Sequence, residues 1–136
     1  MKAVVKMKAG AGNVQVTDVE KPVIGEKEVL IKVKGAGICG TDLHILNDNS
    51  YPIKPPVTLG HELSGVIVET GSEVEGWKEG DKVVSETYYY TCGQCFFCKS
   101  GKKNLCEDRL SIGSGVNGAM AEYVKVPATN LHKIPE

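Results

Sequence analysis

No run of apolar residues in this 136-residue chain exceeds four or five positions. A membrane-crossing helix needs about 20, so the sequence offers no transmembrane span. The opening "MKAVVKMKAG" is charged but has no continuous apolar core, so it does not read as a secretory signal. There is no basic stripe and no acidic tail. The 16 basic and 17 acidic residues are spread along the chain and leave a net charge of −1. That balance argues against a nucleic-acid partner and against a membrane surface. No long window shows a 3.6-residue period, and there is no internal repeat or low-complexity linker. These absences point to a cytoplasmic location, where thiols stay reduced. The five cysteines are then better read as metal ligands than as disulfides.

What is present is a series of short strand signals. "KAVVKMK" (2–8) and "NVQVTDVE" (13–20) flank the Gly-rich turn "AGAG". "EVLIKVKGAGI" (28–38) alternates Val29, Ile31 and Val33 with Leu30, Lys32 and Lys34. "ELSGVIVET" (62–70), "DKVVSET" (81–87) and "AEYVKVP" (121–127) follow. Val and Ile fill these runs, and Gly, Pro and Asn fall between them. One segment, "TDLHILN" (41–47), reads as a short helix with Thr41 as its N-cap. The pattern predicts a mainly β domain, an antiparallel barrel or sandwich. The length suits a single domain with its own core.

"GSGVNG" (113–118) matches G-x-G-x-x-G. A phosphate-binding loop of that type needs a strand before it and a helix after it. The segment that follows reads as a strand, so a plain loop is expected, and no dinucleotide-binding unit is visible.

Four cysteines stand at C-x2-C-x2-C-x7-C: Cys92, Cys95, Cys98 and Cys106. Two-residue gaps let a turn present successive sulfurs to one ion. Four thiolates around one cation make a closed, structural zinc site. An iron–sulfur cluster is the competing reading. The bacterial pattern C-x2-C-x2-C-x3-C-P shares the first three positions, then departs in its last gap and its proline. Lys99, Lys102 and Lys103 could offset the thiolate charge, or simply form a solvated loop face.

A second constellation lies in "GICGTDLH" and "TLGHELSG": Cys39, Thr41, Asp42, His44, His61 and Glu62. Singly, each has a bland reading. A lone cysteine is usually a small hydrophobe, and His44 fits an ordinary helix surface. Together they place two or three possible ligands in two Gly-flanked segments. So few ligands would leave a metal open to substrate, the mark of a catalytic site.

Taken in order, "AGICGTDLH", "PVTLGHELSGVIVETGSEV", "GDKVV", "CGQCFFCKSGKKNLC" and "GAMAEYVKVP" resemble the zinc-containing medium-chain dehydrogenase/reductase family, which includes alcohol, sorbitol and threonine dehydrogenases. The resemblance covers nearly the whole chain. It implies that 1–136 is a fragment comprising most of the GroES-like catalytic domain. Its expected fold is a partly open β-barrel with a short helix and a structural-zinc lobe projecting at about 88–110. By the same resemblance, Cys39 and His61 would hold the catalytic zinc, with Glu62 beside it as an occasional ligand. Asp42 would orient His61. Thr41 would take the substrate proton, and His44 would pass it on through the cofactor ribose. Cys92, Cys95, Cys98 and Cys106 would hold structural zinc. The implied activity is oxidation of a secondary alcohol, polyol or hydroxy amino acid with NAD or NADP, by a protein that is a homo-oligomer at full length. The Rossmann domain and the remaining zinc ligand are outside this chain, so the chain alone is expected to be inactive. The alternative from a different class is an electron-transfer module built on the four cysteines.

Overall fold

The Val- and Ile-rich runs pair with one another in the computed structural model, which describes residues 1–48 and 51–135. β1 (Lys2–Lys6) pairs with β2 (Val14–Asp18) and with the two-residue β4 (Val57–Thr58). The larger sheet is built around β3 (Glu28–Ala36), which lies between β5 (Leu63–Thr70) and β9 (Tyr123–Pro127). β6 (Lys82–Ser85) and β10 (Leu131–Lys133) extend it past β5. A third ribbon joins β7 (Tyr88–Tyr90) to β8 (Leu110–Ser111). Every pairing between these strands is antiparallel. The sheets do not close into a full barrel, which matches the expected partly open architecture. A single bridge, Ala3 to Ala121, stitches the first sheet toward the second.

The core explains one departure from the sequence pattern. In β3 the expected alternation holds only in the second half, where Lys32 and Lys34 are exposed and Val33 is half-buried. In the first half Val29, Leu30 and Ile31 are all fully buried. Three consecutive buried residues mean that both faces of the strand are covered there. Bulges at Leu30/Ile31 and Val33/Gly35 bend the strand between these regimes. Val29 and Ile31 pack with Ile67, Val83, Val124 and Val126. A second cluster, Ile45, Val57 and Leu59, seats the helix α1 (Gly40–Asn47) against the first sheet.

Lys6 is the least expected core residue, with no exposed surface at all. Its ammonium donates to the carbonyls of Gly10 (2.5 Å), Gly12 (2.7 Å) and Ile45 (2.9 Å). It therefore ties the β1–β2 turn to the last turn of α1. Helix C-termini leave carbonyls without intrahelical partners and favour a cation, so the placement satisfies both parties. Replacing it, as Lys6→Met, keeps the apolar stem and orphans three acceptors. We expect a loss of about 2–4 kcal/mol in urea unfolding, since each unsatisfied buried acceptor costs about 1–3 kcal/mol and two of these can partly recover water. A loss below 1 kcal/mol would show that the cradle contributes little.

Candidate metal centres

The ribbon β7–β8 is the base of a projecting loop. Beyond it the chain runs through Cys92 and Cys95, the one-turn helix α2 (Phe96–Lys99), and a 3-10 turn at Lys103–Leu105 before returning through Cys106. Local backbone geometry aims the sulfurs inward. The amide of Cys95 donates to Cys92 Sγ, and that of Cys98 to Cys95 Sγ, each at 3.4 Å. The amide of Cys92 closes the loop onto Cys106 Sγ at 3.4 Å. All four sulfurs lie within 4.8 Å of one another, and no two are joined as a disulfide. Cys92 Sγ lies 4.0 Å from Cys98 Sγ and 3.6 Å from Cys106 Sγ. A tetrahedral ion with metal–sulfur bonds of about 2.3 Å sets its sulfurs about 3.8 Å apart. The cradle fits one such ion. It gathers the thiols around a single point, whereas an iron–sulfur cluster distributes them over several irons.

The thiols are electrostatically unlike. Amide donors from Gln94 and Cys95 pull Cys92 down to about 7. Burial pushes Cys98 up to about 11. With no cation present the group resists holding several thiolates at once, as like charges in one site must.

The second centre is built at the start of α1. Thr41 does not cap the helix; Cys39 does. Its thiol accepts from the Thr41 amide at 3.3 Å, and the Asp42 carboxylate accepts from the Cys39 amide at 3.0 Å. This is a capping box with cysteine in the serine position. The signal was in the sequence, since Cys39 stands three residues before Asp42, but a thiol is not a usual cap. The same sulfur lies 3.1 Å from His61 Nε2. A tetrahedral ion bonding both at 2.0–2.3 Å would set them about 3.5 Å apart, a few tenths of an ångström wider than they stand. On the far side of the ring, His61 Nδ1 faces Asp42 Oδ1 at 3.9 Å, too long for a hydrogen bond. That oxygen is buried and has no hydrogen-bond partner. Buried polar atoms are nearly always satisfied. A small rotation of the imidazole, of the kind a bound ion would impose, would supply the missing N–H. The donor set thus fits a metal, and the orphaned oxygen fits the orienting role expected of Asp42.

Cys39, Asp42 and His61 are the residues the structure brings together here. Glu62 is exposed, and its carboxylate is not among these clustered ligand atoms. Its side chain lies over Gly37, where any Cβ would strike the carboxylate. Gly37 also donates its amide to the Glu62 carbonyl at 2.9 Å. Sequence reasoning passed over this glycine, although it joins the Cys39 segment directly to the His61 segment. Thr41 is half-buried beside Cys39. His44 stands three residues further along the same helix and is exposed, so the two share a face.

Fold and sites together define a class: a small, partly open antiparallel β domain with one closed thiolate cradle and one open Cys–His site at a helix N-terminus. Residues 25–136 match the alcohol dehydrogenase GroES-like domain, and the chain belongs to that family. It is 46% identical over 135 residues to a sorbitol dehydrogenase of Halalkalibacterium halodurans, covering 99% of this chain and 39% of the relative. It is 42% identical over 139 residues to an L-threonine 3-dehydrogenase of Edwardsiella ictaluri, covering all of this chain and 40% of the relative. The chain therefore spans about two fifths of the length of these curated relatives. Among solved structures, a Sinorhizobium meliloti protein named as a zinc-binding dehydrogenase and bound to NADP superposes with a TM-score of 0.91 at 41% identity, over 98% of this chain and 38% of that one.

Proposed function

We propose that this chain is the substrate- and metal-binding domain of a zinc-dependent dehydrogenase that oxidises a secondary alcohol, polyol or hydroxy amino acid with NAD or NADP. The observation that carries the reading is the pairing of Cys39 Sγ with His61 Nε2 at 3.1 Å beside an unpartnered buried carboxylate oxygen. The likeness to sorbitol and threonine dehydrogenases supports the substrate class. Nothing supports the electron-transfer alternative.

Cys39 and His61 would hold the catalytic zinc, with Glu62 beside it, and Cys92, Cys95, Cys98 and Cys106 the structural zinc. At the open site zinc would supply Lewis acidity, lowering the pKa of a substrate hydroxyl. With the ring turned toward it, Asp42 Oδ1 would accept from Nδ1 and fix the His61 tautomer. The half-buried Thr41 hydroxyl would accept the substrate proton as it gives up its own, and the exposed His44 imidazole would pass a proton on to solvent. Neither residue can accept the hydride, which NAD or NADP would take when bound.

The test places this chain in the sorbitol dehydrogenase relative, replacing the matching portion. The expected result is alcohol-dependent reduction of NAD(P), with two zinc ions per chain by elemental analysis and none of the visible colour of an iron–sulfur cluster. A folded, two-zinc hybrid that reduces neither nucleotide with any of the three substrate types would overturn the proposal.

A further inference from the structure

The glycine-rich stretch 113–118 has no strand–loop–helix context and binds no phosphate by the usual geometry, yet three of its residues are buried. Its contacts lead to the metal centre. Gly118 donates its amide to the Thr58 carbonyl at 2.8 Å, Ala119 to Gly60 at 2.9 Å, and Met120 to Leu59 at 2.8 Å. The Asn117 side chain accepts from the Thr58 amide at 3.0 Å. Every residue from Thr58 to Gly60 is thus gripped by 117–120, and the next residue is His61.

The fit is backbone against backbone. A methyl group on Gly113 would come within 2.7 Å of the Gly60 carbonyl oxygen. One on Gly118 would strike that same oxygen and come within 2.6 Å of the Leu59 carbonyl oxygen. Gly60 itself has φ +92°, and a methyl there would come within 2.8 Å of the Met120 amide nitrogen. Real Cβ atoms do not make such contacts, and a positive φ of this kind favours glycine. Three glycines from two distant segments therefore stack at one point, immediately before a candidate metal ligand.

The geometry points to residues 113–118 as a positioning loop for His61: its glycines and Asn117 set the backbone of 58–60 and so hold the imidazole against Cys39. This rests on the reading of Cys39 and His61 as a metal site, and it names residues that touch neither metal nor substrate. Groups that orient a ligand are typically worth 10–100-fold in metal affinity.

The test uses the 136-residue chain with its four-cysteine site filled with zinc. With only His44, His61 and His132 to distinguish, NMR can follow the His61 ring directly. The expected result is clear cross-peaks between the His61 ring and the Cys39 β-protons, as the 3.1 Å contact requires. Asn117→Ala is expected to weaken them and to lower cobalt affinity at that site by about tenfold. Asn117→Asp, which keeps an acceptor oxygen, is expected to restore both. The cross-peaks of His132, which pairs with Glu86 at 2.7 Å elsewhere on the surface, are expected to stay unchanged. Gly118→Ala is expected to act more strongly, and the Asn117 pair decides the matter where that variant does not fold. Wild-type cross-peaks in Asn117→Ala, an equal loss at His132, or no His61–Cys39 cross-peaks in the unsubstituted chain would each overturn the assignment. An unsubstituted chain that shows the cross-peaks but takes up no cobalt beside Cys39 overturns the metal reading alone.

Discussion

Chelating the metal from the four-cysteine cradle is expected to unravel residues 88–110 while the two larger sheets persist. Apart from the four thiols the loop has little to hold it. Cys98 and Cys106 are its buried residues, while Phe96 is 75% exposed. The helix α2 has four residues, well below the length at which an isolated helix is stable. The base ribbon contributes two residue pairs, with Asn130 donating to the Tyr88 carbonyl at 2.8 Å. A structural zinc site contributes on the order of 10 kcal/mol in small peptides, more than these contacts can replace. The buried residues of the main-sheet core all lie outside the loop, and only the half-buried Tyr89, at the base of the loop, packs against them. Amide hydrogen exchange should show protection lost across 88–110 and retained in β3, β5 and β9. Global unfolding on chelation would contradict this.

The same thiols set the pH dependence. Binding requires deprotonation, so affinity falls as pH falls. Cys98, at about 11, must release a proton throughout the neutral range. Cys92, at about 7, adds a further proton only below that value. As pH falls, apparent affinity should therefore drop at least tenfold per unit between about 10 and 7 and at least a hundredfold per unit well below 7.

Period-two runs of Val and Ile made the main strands legible, since antiparallel pairing needs little more than a pleated, half-buried pattern. β4 and β8 were not legible because two residues carry no period. β10 begins with Leu131 but continues through His132 and Lys133, whose side chains face water at the sheet edge. Lys6 reads as a surface lysine in any alternation scheme. It is buried because three carbonyls from the β1–β2 turn and the end of α1 converge there, and convergence of distant backbone leaves no local trace. The thiolate cradle was legible because its ligands are close in sequence. The open site was not legible from spacing alone, because Cys39 and His61 lie 22 residues apart and meet through Gly37 and the Gly60 stack.

Alanine in place of His61 is expected to be the most damaging single change to the proposed chemistry. It leaves Cys39 without its neighbouring nitrogen and strands the Asp42 carboxylate, whose Oδ1 then faces no N–H at all. Metal-assisted activation of a hydroxyl is worth several kcal/mol, and each 1.36 kcal/mol is tenfold in rate. Turnover in the hybrid dehydrogenase should therefore fall by about a thousandfold or more. The four-cysteine site should keep its zinc, so the metal content should fall from two ions per chain to one. Asp42→Asn separates orientation from ligation. The amide oxygen can still accept from the Cys39 amide and preserve the capping box, but its NH2 group facing Nδ1 cannot accept the imidazole proton. A loss of about 10–100-fold in metal affinity is expected, with α1 intact by circular dichroism. If His61→Ala retained both ions and most of its turnover, the open site would lie elsewhere. If Asp42→Asn were as damaging as His61→Ala, Asp42 would be a ligand rather than the group that aims one.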